Sequence, residues 1–133
     1  MISKVIYRGD LRTEAIHTKS EQLLITDAPK DNHGKGDAFS PTDLIATALA
    51  SCILTVMGIV AKRKKKNLEG TYIEVEKKMS LNPRIISEIG LNIHFVSKIN
   101  KEDKIKFERA AKTCPVSLSL NSKVNKIIKF IYL

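Results

Sequence analysis

Two cysteines are the residues of this chain whose chemistry depends most on where folding places them. Cys52 lies in an apolar stretch that follows Ser40-Pro41-Thr42-Asp43-Leu44, and Cys114 lies far along the chain, directly before Pro115. Neither cysteine belongs to a CxxC pair or to a zinc-ligand spacing, so any partnership between them must be made by the fold. Most isolated cysteines are inert core residues, and that alternative stays open for both.

A reactive cysteine needs an activating group nearby. A thiol attacks a peroxide only as a thiolate, and an unperturbed thiol has a pKa of about 8.5. Cys52 lies too deep in its predicted helix to use that helix's own N-terminus, so it needs a cation from elsewhere. Arg8 and Arg12 on the N-terminal hairpin are candidates, since a guanidinium stays charged when buried; a solvated strand position is the alternative for Arg12. Asp43 could hold such an arginine by a bidentate pair, and it also suits a capping box with Ser40.

The second thiol has a role if the first is oxidised. A sulfenic acid at Cys52 could condense with another thiol to a disulfide, and Cys114 is the only other cysteine. His17, His33 and His94 show no metal-ligand spacing. The sequence therefore predicts neither a metal nor a cofactor.

Secondary-structure signals place these residues in an α+β fold of order βββ-α-ββ-α-β. An N-terminal three-stranded meander leads through a polar loop, residues 28–40, to the Cys52 helix. A second hairpin and a second helix follow; Asn100 suits the cap of that helix. Phe107, Ala110, Ala111 and Cys114 share the apolar face of its pattern, and Pro115 ends or kinks it. Residues 123–133 read as a last strand.

The Cys52 helix carries no charge over residues 44–61 and is apolar on nearly every side. Such a helix is buried either in a protein core or in a bilayer. Its many small residues make it only mildly hydrophobic, and the chain has no Trp to anchor it at a membrane interface. We therefore predict a core helix, shared across a dimer interface, and no membrane association.

Composition limits the classes of function. A chain of 133 residues predicts one domain over residues 1–133. Its net charge of +9 comes from 23 Lys and Arg against 14 Asp and Glu, but the lysines are spread along the chain, and only three Tyr and four Phe are available for base stacking. We therefore predict no nucleic-acid partner. Two cysteines and no apolar leader predict a cytoplasmic location.

With these residues in view, the chain resembles the OsmC/Ohr family of thiol-dependent peroxidases. The matching motifs are Ser40-Pro41-Thr42-Asp43-Leu44 leading into Ala50-Ser51-Cys52, and Thr113-Cys114-Pro115-Val116-Ser117. The resemblance covers essentially the whole chain and implies an intertwined homodimer, in which antiparallel sheets wrap around long central helices.

The resemblance also implies roles for single residues. Cys52 takes the place of the peroxidatic cysteine and Cys114 that of the resolving cysteine. Arg12 best matches the activating arginine, with Arg8 as second choice. The acid that holds this arginine in the organic-hydroperoxide branch falls on Thr42, which is a departure, whereas the adjacent Asp43 matches other branches. The chain is therefore more similar to the OsmC-like branch.

The function these residues favour is reduction of organic hydroperoxides, with hydrogen peroxide as a further candidate, at an apolar site that includes Ile45, Leu49 and Ile53. The resemblance implies a dithiol reductant, of lipoyl or thioredoxin-like type, to reopen the disulfide. One alternative is a non-catalytic protein of the same fold that binds a small hydrophobic or thiol ligand at the dimer cleft. A basic interaction protein or a membrane anchor is a third hypothesis.

Overall fold

The computed structural model describes residues 1–133, and its element order is the predicted one with a short additional helix. The α+β class is confirmed. The elements are β1 (Ser3–Gly9), β2 (Arg12–His17), β3 (Leu23–Asp27), α1 (Pro41–Arg63), β4 (Tyr72–Ser80), β5 (Ile85–His94), α2 (Lys101–Lys112), α3 (Pro115–Ser119) and β6 (Asn125–Ile131), with a 3₁₀ turn at Lys30–Asn32. Residue contacts group the chain into two compact units, Met1–Ile45 and Ala46–Leu133.

The N-terminal unit is built on an antiparallel sheet of order β1-β2-β3. A two-residue turn joins β1 to β2, with Asp10 and Leu11 both at positive φ (53° and 62°), as tight hairpins of this kind require. The hydrophobic side chains of this sheet are not buried: Leu23, Leu24 and Ile25 of β3 are all at least 41% exposed. The sheet therefore has no apolar core of its own.

The second unit holds the hydrophobic core. Its sheet has the order β4-β5-β6; β4 and β5 pair antiparallel, whereas β6 pairs parallel to β5. This sheet is therefore mixed, unlike the antiparallel sheets that the sequence analysis expected. The reason is the connection: α2 and α3 carry the chain from the end of β5 back to the end where β5 starts, as a parallel pair requires.

Two helices and the central strand supply most of the core. Alternate residues of β5, namely Ile89, Leu91 and Ile93, are at most 1% exposed, and Phe107 and Ala111 of α2 are fully buried with them. Helix α1 contributes six of the thirteen buried hydrophobic residues: Ala46, Leu49, Ala50, Ile53, Met57 and Ala61. The predicted burial of one face of α2 is confirmed, whereas α1, which is apolar on nearly every side, is buried along one face only.

By length and composition alone, α1 could also cross a membrane, with a mean hydropathy of 2.3 over its most apolar window, of which 33% is buried. Core helices of soluble proteins share these properties, and the six buried residues of α1 place one of its faces in the core. Its opposite face carries Ile45 and Ile59, which are 42% and 47% exposed.

Capping explains where both long helices begin. The Ser40 side chain accepts a hydrogen bond from the Asp43 N–H, and the Asp43 carboxylate accepts one from the Ser40 N–H, both at 3.0 Å. The Asn100 side chain accepts the Asp103 N–H at 2.8 Å. These are the predicted capping box and cap, which satisfy N–H groups that have no partner within the helix.

Candidate active site

The fold brings the two cysteines together, although they are distant in sequence. Cys52 lies half-buried in α1, and Cys114, which is 0% exposed, lies between α2 and α3. Both thiols are free, Cys52 packs against the core cluster that contains Cys114, and the Cys52 thiol acts on the electrostatics of the Cys114 thiol. A half-buried cysteine is thus placed near a fully buried one.

Proline chemistry accounts for the position of Cys114. The helical pattern of α2 continues to Cys114, but Pro115 cannot extend it, so α2 ends at Lys112 and α3 starts at Pro115. Cys114 becomes the N-cap of α3, where its sulfur accepts the Ser117 N–H at 3.3 Å. The buried thiol therefore belongs to a turn that holds its sulfur in place.

The surroundings of Cys114 favour its protonated form. Burial raises the pKa of the Cys114 thiol; the hydrogen bond from the Ser117 N–H acts in the opposite direction, and the adjacent Cys52 thiol raises the pKa further. At neutral pH Cys114 therefore holds its proton. This environment suits a second thiol better than an attacking one.

In the N-terminal unit, Arg12 is held by an acid that the sequence analysis did not single out. Its Nε donates to Asp27 Oδ1 at 2.7 Å and its Nη2 to Asp27 Oδ2 at 2.8 Å. The two residues are direct partners in the β2–β3 register, so their side chains share one face of the sheet. Asp27 is 1% exposed, whereas the Arg12 side chain is one-third exposed. The guanidinium thus has one fixed side and one accessible side.

Electrostatics agree with this geometry. The hydrogen bond from Arg12 is the largest effect on Asp27 and holds the pKa of the carboxyl below its usual range; the Asp37 backbone N–H also lowers it, against the opposing effect of burial. The same pair raises the pKa of Arg12. The pair is therefore ionised across the whole physiological range.

The other candidate residues, Asp43, Thr42 and Arg8, have different hydrogen-bond partners. Asp43 closes the capping box of α1, so the bidentate role expected of it is taken by Asp27. Thr42 lies at hydrogen-bonding distance from the Ser40 hydroxyl, 3.2 Å away. Arg8 pairs with Glu14 at 3.1 Å on an exposed part of the hairpin.

The apolar surroundings expected for Cys52 differ in part from those observed. Leu49 and Ile53 are fully buried in the core, so they cannot line an open site. On the neighbouring side of α1, a groove of about 450 Å³ runs against β4 and is lined by Thr47, Ala50, Ser51, Leu54, Thr55, Ile73 and Val75. This groove is predominantly apolar, and one of its lining residues, Ser51, directly precedes Cys52 in the sequence.

Two of the three histidines have side-chain partners. His17 bonds to Ser20, and His94 bonds to Glu74 and stacks on Tyr72. No group of three His, Cys, Asp or Glu side chains is arranged to hold a metal ion.

The model of the OsmC-like protein family matches residues 34–129. The chain belongs to the OsmC-like family. This match spans the α1 segment and the α2–α3 junction, which carry the two cysteines.

Solved structures agree with the family. A protein from Psychrobacter arcticus 273-4, described as an osmotic stress induced and detoxification response protein, is 46% identical with a TM-score of 0.95, covering 98% of this chain and 95% of that chain. An organic hydroperoxide resistance protein OsmC from Legionella pneumophila is 20% identical with a TM-score of 0.77, covering 98% and 97%.

A third similar structure is an organic hydroperoxide resistance protein from Vibrio cholerae with captopril bound in one of its active sites. It is 17% identical with a TM-score of 0.75, covering 98% of this chain and 92% of that chain. At these lower identities the likeness establishes the shared fold. Among curated protein sequences, none matches this chain significantly.

Proposed function

We propose that this OsmC-like protein is a thiol-dependent peroxidase that reduces organic hydroperoxides through Cys52 and Cys114. The observation that carries the proposal is the proximity of a half-buried thiol on α1 to a fully buried, protonated thiol. Structures named as organic hydroperoxide resistance proteins share the fold, which supports the same conclusion.

The reaction begins at Cys52. Its thiolate attacks the distal oxygen of the hydroperoxide, the O–O bond breaks, and Cys52 becomes a sulfenic acid while the alkoxide takes up a proton and leaves as the alcohol. Arg12 from the N-terminal hairpin stabilises the negative charge that develops on oxygen. Because Asp27 fixes its guanidinium, little reorganisation is needed during the reaction.

Cys114 completes the oxidative half. Its sulfur attacks the Cys52 sulfur, the S–O bond breaks, and water leaves as the disulfide forms. A dithiol of lipoyl or thioredoxin-like type then reduces the disulfide to two thiols and is itself oxidised. The protonated state of Cys114 in the reduced protein keeps it from competing for the peroxide.

The proposal includes a homodimer in the cytoplasm. Ile45 and Ile59 leave an apolar face of α1 exposed, and Leu23, Leu24 and Ile25 do the same on the N-terminal sheet. A second copy that covers these surfaces would remove them from water. Two free thiols that must return to the reduced state suit a reducing compartment.

The test is oxidation of reduced protein by one equivalent of cumene hydroperoxide, followed by mass spectrometry. Wild type should form the Cys52–Cys114 disulfide, Cys114→Ser should stop at a sulfenic acid that dimedone traps at Cys52, and Cys52→Ser should leave Cys114 unmodified. With dithiothreitol present, only wild type should sustain disulfide-linked turnover. Wild-type protein that consumes no peroxide and stays unmodified at Cys52 would overturn the proposal.

A second candidate function is binding without catalysis. The groove of about 450 Å³ between α1 and β4 would suit a small apolar ligand. In that case an apolar thiol would bind reduced protein, as detected by calorimetry, while peroxide would persist at its uncatalysed rate. Loss of peroxide that depends on Cys52 decides for the peroxidase.

A further inference from the structure

Lys126 on β6 is a partly buried lysine whose ammonium is held by neutral oxygens. Its Nζ donates to the Ser117 carbonyl oxygen and to the Ser117 hydroxyl oxygen, both at 2.9 Å. No Asp or Glu side chain forms an ion pair with it. A lysine shielded from water commonly pairs with an acid, so this arrangement leaves an uncompensated positive charge beside one residue.

That residue is the one that holds the buried thiol. Ser117 is 4% exposed, and its backbone N–H donates to the Cys114 sulfur at 3.3 Å. Lys126 therefore engages Ser117 through its carbonyl and hydroxyl groups, while the N–H of the same residue faces the sulfur. Strand β6 is thereby connected to the Cys114 turn through Ser117.

We propose that Lys126 is the positioning residue of the resolving cysteine: it fixes Ser117 so that its N–H faces the Cys114 sulfur, and it adds a positive charge that favours the thiolate there. The catalytic role that this inference gives to Lys126 rests on the proposed function. Its physical part, the effect of Lys126 on the Cys114 thiol, does not need a peroxide.

The step that benefits is disulfide formation. Cys114 gives up its proton, its thiolate attacks the Cys52 sulfenic acid, and the S–O bond breaks, so that hydroxide leaves and combines with that proton as water. When a dithiol reopens the disulfide, its thiolate attacks the Cys52 sulfur and the S–S electron pair leaves on Cys114. Disulfide formation and disulfide reduction both place negative charge on the buried Cys114 sulfur, where a nearby cation and a hydrogen-bond donor stabilise that charge most.

The titratable groups around Cys114 are few. Cys52 faces it from α1, and Lys126 reaches its turn from β6 through Ser117. The thiol of Cys52 disfavours a charge on Cys114. Lys126 is thus the only cation that hydrogen-bonds to this turn.

The experiment measures the Cys114 thiol alone. In a Cys52→Ser background, Cys114 is the sole cysteine, so ¹³Cβ-cysteine labelling gives one NMR signal whose shift follows thiol ionisation with pH. Lys126→Met should raise the midpoint of this titration by about one pH unit, a tenfold loss in thiolate fraction. Lys126→Arg should restore it, and Lys129→Met, an exposed lysine of the same strand, should leave it at the parent value.

A purely structural role would lower the melting temperature without moving the titration, so an unchanged midpoint in folded Lys126→Met overturns the inference. If that variant does not fold, Lys126→Gln keeps a donor to Ser117 without the charge and decides in the same way.

A second readout uses the intact cysteine pair: Lys126→Met should leave Cys52 oxidation at its wild-type rate and lengthen the lifetime of the sulfenic acid about tenfold. A raised titration midpoint in Lys126→Met would support this inference even if the protein reduced no peroxide. The inference and the proposed function can therefore be overturned independently.

Discussion

Arg12 and Asp27 face each other across β2 and β3, and two hydrogen bonds of 2.7 and 2.8 Å join the guanidinium to a carboxylate that is almost wholly buried. The pairing fixes where the positive charge points. The acid that holds Arg12 is supplied by strand β3 and not by the start of α1.

Asp27→Asn should therefore impair peroxide reduction. The amide cannot accept two charged hydrogen bonds, so the guanidinium loses its fixed orientation, and misplacement of this kind costs roughly 100-fold in kcat/KM. Stopped-flow oxidation of Cys52 measures the effect. Glu14→Gln, which breaks the exposed Arg8 pair instead, should stay within about twofold of wild type. Equal rates for Asp27→Asn and wild type would remove Arg12 from the mechanism.

The exposed apolar face of α1 gives a prediction about assembly. Ile59→Glu should split the proposed homodimer, since it would bury a carboxylate in the proposed helix–helix interface, and we expect the dissociation constant to rise roughly 30-fold or more. Light scattering after gel filtration reports the mass. Ile105→Glu, at a similarly exposed isoleucine of α2, should remain dimeric. A wild-type chain that elutes as a monomer contradicts the assembly itself.

Acid should weaken the fold through a second ion pair. Lys64 lies 2.8 Å from Asp103 and holds the pKa of this buried carboxyl below its usual range. A depressed folded pKa gives stability that is present above the unfolded value of about 3.9 and is lost as the pH falls through the folded value. Below about pH 4, Asp103→Asn should thus show a shallower loss of stability than wild type in urea titrations. Glu102→Gln, which alters the longer 3.7 Å contact of an exposed acid, should follow the wild-type curve.

Two glycines should respond in opposite directions to the same substitution. A Cβ on Gly34 would lie 1.7 Å from the Ala28 carbonyl oxygen, whereas a Cβ on Gly58 would meet no atom within 4 Å. Gly34→Ala should displace the loop before α1 and destabilise the protein by about 3 kcal/mol. Gly58→Ala should stabilise helix α1 by about 1 kcal/mol. Chemical denaturation gives both values, and a destabilised Gly58→Ala variant would indicate that another surface packs against that position.

Local signals were sufficient to predict much of the fold. The Ser40–Asp43 capping box, the Asn100 cap and the alternating apolar face of β5 are each encoded within a few residues, and each appears as predicted. The direction of β6 is not encoded in this way. Its own pattern fits either orientation, and the parallel pairing follows from the path of the chain through α2 and α3.

The residues of the candidate site differ in the same way in how far the sequence predicts them. The pairing of Cys52 with Cys114 is implied by the family resemblance of the motifs around them, whereas the partnership of Asp27 with Arg12 depends on strand register. In the sequence Asp27 simply ends an apolar strand before a polar loop. Only the pairing of Arg12 with Asp27 in the register of β2 and β3 shows that it is a partner.

A sheet that leaves Leu23, Leu24 and Ile25 exposed gains little free energy from apolar burial within its own unit. Whatever closes over Leu23, Leu24 and Ile25 supplies that free energy, so for a self-associating chain mass action sets how much of the protein is folded. Dilution should therefore lower the temperature at which this sheet melts, and the hairpin that carries Arg12 would be lost with it.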